Sequence, residues 1–538
     1  MKKYLLNIKT IIVLSTVIAL SSCSEEFLEV TPKDSYDAST YYDSDAKVAS
    51  STNVLYGYAW FDLTVKPYFA LTDMSSGNLV NTSSEFNQFN TLQFQSSDTN
   101  LLDAWLSCFG VVANANTIIL ALPAINNSNV SQAAINNALG EAHFMRALAY
   151  FNLVRFFGPV PIVENAADFA ANPQINTNPV SDVYKFIEND LLFAAANLKT
   201  KVRGSNYADN ARVSSGSAKA LLAKVYLYQK NYTKARTYAE EVINSGEFKL
   251  FGTSEVPNTT FGDLFLPVYN NNEESIVAFQ WMAGIYFYGS SLNTQYAGNK
   301  NLTEAGYAGV VGPSQDLIKN VFEPNDLRRK ETFMIPGDFY PKLSASANFD
   351  GSGAITLGYT MPALDQDGNT NFAQGSGAAM KKYVIGRSNP AITGFYDATS
   401  NGFTKQNTYV MRYAELLLIH AESILAAQSG STSDASALAS FNKVRTRAGL
   451  ATKAVITFED IFKERRAELA AENDYWFDLG RLDFAVAKAK LEAQDRGTKE
   501  NPMKISSLAI TTLVYPYPAN ELLQNPKLKE APVPYNFK

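Results

Sequence analysis

The chain has 538 residues, of which 46% are apolar and 18% charged, and its net charge is −6. This composition predicts a folded globular protein and excludes an intrinsically disordered one. The acidic balance argues against nucleic-acid binding, which needs a clustered positive patch.

The first 23 residues have the pattern of a bacterial lipoprotein signal. Three lysines precede the apolar run IIVLSTVIAL, which is too short to span a bilayer. LSSC follows and resembles a lipobox, so we expect cleavage before Cys23 and acyl chains such as palmitate on that residue. Residues 1–22 are thus predicted to be a signal peptide, and residues 23–50 a membrane leash and the start of the fold. An ordinary secreted protein with a chance cysteine is the alternative.

Two regions, about 101–248 and 409–475, show apolar residues recurring at helical spacing. In the first, SAKALLAKVYLYQKNYTKARTYAEEVINSG has the small residues of a tetratricopeptide repeat, with Asn231 and Gly246 punctuating its two helices. An earlier helix is expected to stop at Gly158, and a later one to start with a capping pattern at Thr457. The fold class is therefore mainly α, with a generic helical hairpin as the alternative to the repeat.

The segment between these regions, about 250–408, has a different texture. It is rich in Gly, Asn, Ser and aromatic residues and shows no long amphipathic pattern. Ordered loop-rich segments within helical proteins are usually functional, so we predict a ligand-binding insert. One motif here, DQDGNTN, places oxygen-bearing side chains at alternating positions, as calcium loops do. The possible calcium ligands are Asp365, Asp367, Asn369 and Asn371. A plain turn without a bound ion is the alternative.

A charge-dense stretch, ERRAELAAENDYWFDLGRLD, predicts either an acid/base site or a buried ion-pair cluster. Glu464, Glu468 and Glu472 are four residues apart and would form a ridge of like charge on a helix. Such a ridge needs basic partners, and arginine suits this because its planar fork binds carboxylate at two points. The candidates are Arg445, Arg447 and Arg481. We predict a structural clamp there and no catalysis.

An enzyme remains the alternative that has to be weighed. A glycosidase needs two carboxylates about 5–10 Å apart across an open cleft, a geometry that sequence neither shows nor excludes. The two histidines, His143 and His420, lie in amphipathic helices, where a hydrogen-bonded packing role is expected. Cys108 lies in an apolar helical stretch and is predicted to be a small core residue. The sequence contains no HExxH motif, phosphate-binding glycine loop or zinc spacing.

Six blocks, in order, resemble the signatures of the SusD/RagB family. They are GEAHFMRALAYFNLVRFFGPVPIV, SAKALLAKVYLY, RYAELLLIHAES, FNKVRTRAGL, ERRAELAAENDYWFDLGRLD and YPYPANELLQNP. The resemblance implies a SusD-like domain over 51–538, in which four TPR-like helix pairs form a scaffold for an irregular ligand-binding half. It also implies an outer-membrane lipoprotein that captures a glycan and delivers it to a SusC-like TonB-dependent transporter. The alternatives are the same fold binding peptides or another nutrient, or a secreted glycoside hydrolase.

A neutral glycan is bound by flat aromatic rings that stack on its sugar rings, with amides and carboxylates for its hydroxyls. Two loop segments offer such groups. Residues 68–90, where the family has a loop rich in ligand contacts, supply Asp73, Asn78, Asn81 and Phe86. Residues 280–296 supply Trp281, Tyr286, Tyr288, Asn293 and Tyr296. Trp281 and Tyr296 are the strongest candidates for stacking, although each of these rings could instead belong to the core.

Overall fold

The structure is a computed structural model and describes residues 41–363, 372–388, 402–505 and 508–537. Cys23, the predicted signal peptide and the predicted calcium-loop residues Asp365, Asp367, Asn369 and Asn371 lie outside the described residues. Within the described ranges, no group of three or more histidine, cysteine, aspartate or glutamate side chains is arranged to hold a metal ion.

Helices dominate the described chain, which confirms the mainly α prediction. The α-helices are α1 Asp45–Ser51, α2 Phe61–Val65, α3 Pro67–Phe69, α4 Asn87–Thr91, α5 Thr99–Ala121, α6 Gln132–Phe157, α7 Ala166–Ala171, α8 Val180–Asn197, α9 Ser215–Tyr228, α10 Tyr232–Ser245, α11 Leu292–Tyr296, α12 Gln315–Asn320, α13 Leu327–Thr332, α14 Phe372–Gly375, α15 Tyr413–Leu425, α16 Ala435–Arg447, α17 Phe458–Leu469, α18 Tyr475–Gly480, α19 Phe484–Ala493 and α20 Ala519–Gln524. A π-helical turn covers Ala70–Met74.

The strands are short and pair in twos. They are β1 Leu79–Val80, β2 Ser275–Phe279, β3 Gly312–Pro313, β4 Phe333–Met334, β5 Phe339–Ser346, β6 Ile355–Thr360, β7 Ala379–Met380, β8 Thr408–Arg412, β9 Ser431–Thr432 and β10 Ile456–Thr457. The antiparallel pairs are β1–β3, β2–β8, β4–β7, β5–β6 and β9–β10.

The long helices pack in a continuous series. Helix α6 packs on α5 and α8, α9 on α8 and α10, and α15 on α10, α16 and α17. The chain thus leaves the series after α10 and returns to it at α15, beyond the segment of short elements. These helices fall in the two regions predicted from periodicity, while the tetratricopeptide character of the pairs stays a prediction.

Local signals in the sequence set the ends of several helices. Helix α6 ends at Phe157, and Gly158 follows with a φ of 74°, in the left-handed region that favours glycine. Helix α10 starts after Asn231, whose side chain caps it, and ends before Gly246 at a φ of 64°. Thr457 and Asp460 form the predicted reciprocal cap at the start of α17. All of these predictions are confirmed.

The apolar helix α5 lies against α6 and α2. Together with the turn that follows it, Thr99–Ala124, it is long and apolar enough to cross a membrane by length and composition alone, and half of its apolar 18-residue stretch is buried within the protein. Cys108 is buried in this helix, as predicted, and burial raises the pKa of its thiol. We therefore assign α5 to the hydrophobic core.

Both histidines have hydrogen-bonded packing roles. The His143 ring lies 2.5 Å from a carboxylate oxygen of Asp190, which also accepts from Arg146. The His420 Nδ1 atom lies 2.8 Å from the Ser440 hydroxyl, between α15 and α16. This confirms the packing role predicted for them.

A network of buried ion pairs joins the C-terminal helices to the rest of the frame. No member is more than 8% exposed. We call this set the buried ion-pair network: Lys224, Glu274, Asp326, Arg328, Lys382, Arg412, Glu415, Glu422, Arg445, Arg447, Glu464, Arg465, Glu468, Glu472, Asp474, Asp478 and Arg481. It contains most of the acidic residues of the charge-dense stretch. Asp483, in contrast, is exposed and caps α19.

Glu468 lies at the centre of one half of the network. Its carboxylate is 2.8 Å from Arg412 and 3.1 Å from Arg328, and it also contacts Arg447. Glu274 contacts both Arg412 and Arg447 from the start of β2. Burial raises the pKa of Glu468, but the surrounding guanidinium groups outweigh burial and bring this pKa well below its ordinary value. Glu468 is therefore a buried carboxylate that stays ionised.

The other half of the network cross-links four helices. The Lys224 ammonium of α9 lies 2.7 Å from Glu415 of α15 and 2.6 Å from Asp474, at the start of α18. Arg465 of α17 lies 2.7 Å from Asp474 and 2.9 Å from Asp478. Each helix thus contributes at least one charge that another helix neutralises, which fixes their relative positions.

The predicted clamp is confirmed in two of its pairs. Arg445 lies 2.9 Å from Glu464, and Arg447 contacts Glu468. Arg481 instead pairs with Asp478 at 2.9 Å and with Glu422.

The prediction that Glu472 continues the helical ridge is wrong. Helix α17 ends at Leu469, and Ala471 has a φ of 61°, so the chain turns before Glu472. Glu472 nevertheless joins the network, at 2.7 Å from Arg412 and 2.8 Å from Lys382. The turn brings its carboxylate towards β8 instead of along the helix.

Removing one centre of the network tests its structural role. We expect Glu468→Gln to lower the free energy of unfolding by about 3–5 kcal/mol, because it leaves buried guanidinium groups short of a carboxylate. Glu459→Gln, on the same helix, is the matched control. Its side chain is 47% exposed and pairs with Lys490, so about 1 kcal/mol or less should be lost. Urea unfolding of the three proteins measures both values, and equal losses would contradict the assignment.

Stability should also depend on pH in a stated direction. The pKa values of Glu468 and Asp474 are lowered in the fold, since their basic partners outweigh burial. Their contribution is therefore complete above the unfolded-state pKa of about 4 and is lost as the pH falls below it. Burial raises the pKa of Asp73 to about 6, so the ionised Asp73 carboxylate disfavours folding near neutral pH, and this penalty is relieved as the pH falls from about 6 to about 4. Urea titrations should show that the free energy of unfolding falls steeply below about pH 4. This fall should be shallower in the Glu468→Gln protein.

Candidate functional site

The residues predicted from the 68–90 segment are buried. Asp73 is fully buried, and its carboxylate accepts from the Asn78 side chain at 2.9 Å and from the backbone amides of Ala471 and Asn473 at 3.1 and 2.8 Å. Asn78 accepts from Arg466 at 3.0 Å. These bonds attach the π-helical turn to the chain that follows α17, so both side chains are used inside the fold.

Asn81 and Phe86 are likewise enclosed. Asn81 is 3% exposed, donates to the Val310 carbonyl and accepts from the Ser83 amide at 2.6 Å. Phe86 is fully buried, with its ring centroid 5.9 Å from that of Phe69. The polar groups of this segment satisfy its own irregular backbone, which explains why they are not on the surface.

Three residues predicted from the 280–296 segment are also buried. Trp281 is 6% exposed, and its indole nitrogen donates to Thr408 at 3.0 Å. Tyr296 is fully buried beside Tyr383. Asn293 is fully buried, and its amide oxygen accepts from the backbone at position 385. Protein covers the faces of Trp281 and Tyr296, which is the core role that the sequence left open, and we look for the stacking surface elsewhere.

Four aromatic rings are exposed together on one surface. Tyr58, Tyr286, Phe287 and Tyr288 are between 42% and 52% exposed. Ring centroids are 5.2 Å apart between Tyr288 and Tyr58, 6.3 Å between Tyr58 and Phe287, and 4.5 Å between Phe287 and Tyr286. We call these four rings the aromatic platform. It includes two of the predicted residues, Tyr286 and Tyr288.

A tight loop holds three of the platform rings outward. The Met282 amide donates to the Tyr288 carbonyl at 2.7 Å and closes the loop. Phe287 has a φ of 47°, which turns the backbone between its two aromatic neighbours. Gly289 completes the turn against Phe403, where an added Cβ would lie 2.7 Å from the Phe403 Cβ. The glycine is needed for this close approach.

The fourth ring, Tyr58, comes from the N-terminal part of the chain. The Gln280 amide donates to the Tyr56 carbonyl at 2.7 Å, which attaches this segment to the end of β2. A Cβ on Gly57 would lie 2.4 Å from the Gln280 carbonyl oxygen, so only glycine permits the contact. Tyr56 points inward and Tyr58 outward, with 5% and 49% exposure.

Buried rings support the platform from below. The Phe61 ring is 3% exposed, and its centroid lies 5.2 Å from that of Tyr286 and 5.3 Å from that of Phe287. Trp281 meets Phe61 edge-on at 6.4 Å. Trp281 thus takes part in the site as its support, and its exposed neighbours supply the accessible rings.

A surface groove of about 450 Å³ lies beside the platform. This volume is in the range of small-molecule sites. Its lining residues are Asn53, Val54, Tyr56, Gly57, Tyr58, Ala211, Arg212, Gln280, Trp281, Met282 and Tyr288. The groove brings rings and polar side chains together, as a sugar-binding surface requires.

A second groove, of about 340 Å³, lies between α5, α7 and α20. Apolar side chains dominate it, including Trp105, Phe109 and Phe169. Phe169 is 41% exposed, whereas Trp105 is 4% exposed and contacts the rings of Phe109 and Phe157. We prefer the first groove as the candidate site because it adjoins four exposed rings.

Sequence reasoning missed two platform residues, Tyr58 and Phe287. Phe287 could have been predicted, since it completes the triplet YFY between Gly284 and Gly289. Tyr58 could not have been predicted. The run VLYGYAWF contains three aromatic residues before Phe61, and no hydrophobic periodicity indicates which of them faces outward.

Comparisons with known proteins identify relatives along the whole chain. A model described as "SusD family" matches residues 272–533, and one described as "Starch-binding associating with outer membrane" matches residues 26–227. A SusD-like protein of Bacteroides ovatus is 30% identical, with 98% of both chains covered. SusD-like protein P2 of Formosa agariphila is 26% identical, with 90% of this chain and 91% of that protein covered. A crystal structure with xylogluco-oligosaccharide matches with a TM-score of 0.77 and 29% identity, covering 91% of this chain and 99% of that chain.

The burial of Trp281 predicts the effect of its removal. Trp281→Ala should lower the free energy of unfolding by about 3–5 kcal/mol, because it leaves a cavity below the platform and an unpaired Thr408 hydroxyl. Tyr288→Ala, in the loop that follows Trp281, should cost about 1 kcal/mol or less, since its ring is 42% exposed. Urea unfolding compares the two. A Trp281→Ala protein as stable as the wild type would show that the indole is a surface ring after all.

Proposed function

Because this chain belongs to the SusD family, we propose that it is a surface-exposed, lipid-anchored glycan-binding protein of the outer membrane. It captures an oligosaccharide or polysaccharide and delivers it to a partner SusC-like TonB-dependent transporter. The full-length similarity to SusD-like proteins supports the proposal, as does the family description that associates starch binding with the outer membrane.

The aromatic platform is the observation that carries the glycan-binding proposal. Four adjacent half-exposed rings form an apolar patch that a folded protein would otherwise bury. A sugar ring offers C–H groups to such a face, and its hydroxyls can reach the polar side chains of the adjoining groove. Rings held by a closed loop and a glycine contact lose little freedom on binding, which favours affinity.

The acidic stretch supports a binding role over hydrolysis. Glu464, Glu468, Glu472, Asp474 and Asp478 are at most 8% exposed, and each is paired with a basic side chain. A glycosidase would need two such groups facing a substrate across a cleft.

The anchoring part of the proposal rests on the sequence. The lipobox places acyl chains on Cys23, with residues 1–22 removed and residues 23–50 as the leash. Helix α1 starts at Asp45, whose carboxylate accepts from the Ser131 backbone amide at 2.7 Å at the start of α6. The proposed leash therefore includes the first part of the fold, and the proposed SusD-like domain extends over 51–538.

Affinity electrophoresis in gels containing plant, algal, fungal and host polysaccharides tests the function. We expect at least one polysaccharide to retard the wild-type protein, and Tyr58→Ala/Tyr288→Ala to weaken that binding about tenfold or more, since each stacked ring contributes roughly 1 kcal/mol.

Phe339→Ala is the matched control for this experiment. Phe339 is 51% exposed on β5, outside the platform, so its removal should leave retardation unchanged. Wild-type protein that no polysaccharide retards would refute glycan binding. Release of reducing ends at an enzymatic rate would show that the protein is a hydrolase and not a glycan receptor.

A further inference from the structure

The groove beside the platform has an unusual charge arrangement. Among the described residues that line it, Arg212 is the one that carries a charge. An arginine beside exposed rings suggests an acidic sugar ligand, because a guanidinium binds carboxylate at two points. The contacts of Arg212 argue against that interpretation.

All four terminal N–H groups of Arg212 are used inside the protein. One terminal nitrogen donates to Glu141 and to Thr52, each at 2.6 Å. The other donates to the Ala49 carbonyl at 2.9 Å and to Asn53 at 2.5 Å. The side chain is about one-third exposed, yet its forked end faces the protein. A ligand carboxylate would find no pair of N–H groups to bind.

Glu141 neutralises this arginine from the core. Its side chain is 1% exposed, and the oxygen that pairs with Arg212 also accepts from Thr52 at 2.8 Å and from Tyr56 at 2.9 Å. Asn137 donates to its other oxygen at 2.9 Å. The pair is therefore held in place on both sides, and the wall of the groove is neutral overall.

Polar side chains at the floor of the groove also form hydrogen bonds within the protein. Gln280 exchanges bonds with Asn271 at 2.8 and 2.9 Å and accepts from Asn407 at 3.0 Å. Asn53 is exposed, and its oxygen accepts from Arg212, which leaves its amide nitrogen to donate to a sugar hydroxyl. Sugar hydroxyl groups can form hydrogen bonds here. An anionic group would lose its hydration against the aromatic rings without forming an ion pair in return.

We propose that the ligand of this groove is an uncharged glycan, and that the Arg212–Glu141 pair selects against uronic-acid and sulfated sugars. The inference rests on the proposed function and specifies its substrate class. The pair acts as a specificity device, since it supplies a polar wall without net charge.

The platform also indicates a chain and not a single sugar. Its rings follow one another in three steps of 4.5 to 6.3 Å between centroids, from Tyr288 to Tyr286. Tyr58 and Tyr288 stack on each other at an interplanar angle of 28° and so form one aromatic position, and the Phe287–Tyr286 pair forms a second, so that the platform offers contact to more than one sugar. Affinity should therefore rise between a monosaccharide and an oligosaccharide of the same neutral glycan.

Pairs of polymers that differ only in charge test the proposal. Each neutral polysaccharide that retards the wild-type protein is compared with its derivative whose primary hydroxyls have been oxidised to carboxylates, and hydroxyethylcellulose is compared with carboxymethylcellulose. We expect the neutral member to bind at least tenfold more tightly. Raising NaCl from about 0.05 M to about 0.5 M should leave that binding within twofold, since no ligand charge is screened.

Glu141→Gln provides a test by gain of binding. The amide keeps an oxygen for Arg212 but removes the neutralising charge, so the folded variant should acquire salt-sensitive retardation by polygalacturonate. Glu459→Gln, which changes the net charge equally on α17, should not acquire it. A folded Glu141→Gln protein without this gain would overturn the role of the pair. If the variant does not fold, the polymer pairs decide alone.

The outcomes separate this inference from the proposed function. Retardation by no polysaccharide of either kind would refute glycan binding and the inference with it. Retardation by the anionic members, lost at high salt, would overturn the neutral-ligand inference while glycan binding stands. Equal retardation by both members of each pair would also overturn it.

Discussion

The contact of Glu468 with three guanidinium groups is the interaction on which the rest of this structure depends. A carboxylate in the protein interior loses its hydration, and only close opposite charge compensates for that loss. Arg328, Arg412 and Arg447 supply this charge from α13, β8 and α16. The same constraint acts in the opposite direction, since each arginine needs its own buried carboxylates. Helix α17 therefore has one position relative to these elements, and its displacement would leave several charges unpaired at once.

The short strand pair β2–β8 connects the buried ion-pair network to the aromatic platform at the surface. Strand β8 has Arg412 at its end and Thr408 at its start, and β2 pairs with it from position 275 to position 279. The network lies at the Arg412 end, where Glu274 precedes β2. At the other end Thr408 accepts from Trp281, directly below the platform. The strands thus place the base of the platform relative to the buried charges, so that a network formed for stability also defines where the exposed rings lie.

Sequence patterns predicted the parts of this design that depend on local spacing. Helix ends at Gly158 and Thr457 follow from backbone geometry within one turn, and the pairing of Arg447 with Glu468 follows from a ridge of charge that required partners. Arg412 and Lys382 were missed because nothing near them in the sequence signals a partner 60 or 90 residues away. Side-chain direction was the other limit. Trp281 and Tyr288 lie in one loop with similar neighbours, and the tertiary contact of the Trp281 indole with Thr408 of β8 holds the first inward.

The burial of charge and the exposure of rings are two consequences of the same arrangement. The acidic and basic groups of the frame neutralise each other inside it, and the groove beside the platform has one charged lining residue among those described, Arg212. Arg212 repeats this solution at the edge of the groove, where Glu141 takes up its charge from the core. Binding at such a surface has to rely on stacking area and on hydroxyl contacts, which are weak one by one and add up along a chain. No single contact would dominate such a complex, which is compatible with the capture and later release of a glycan that we propose.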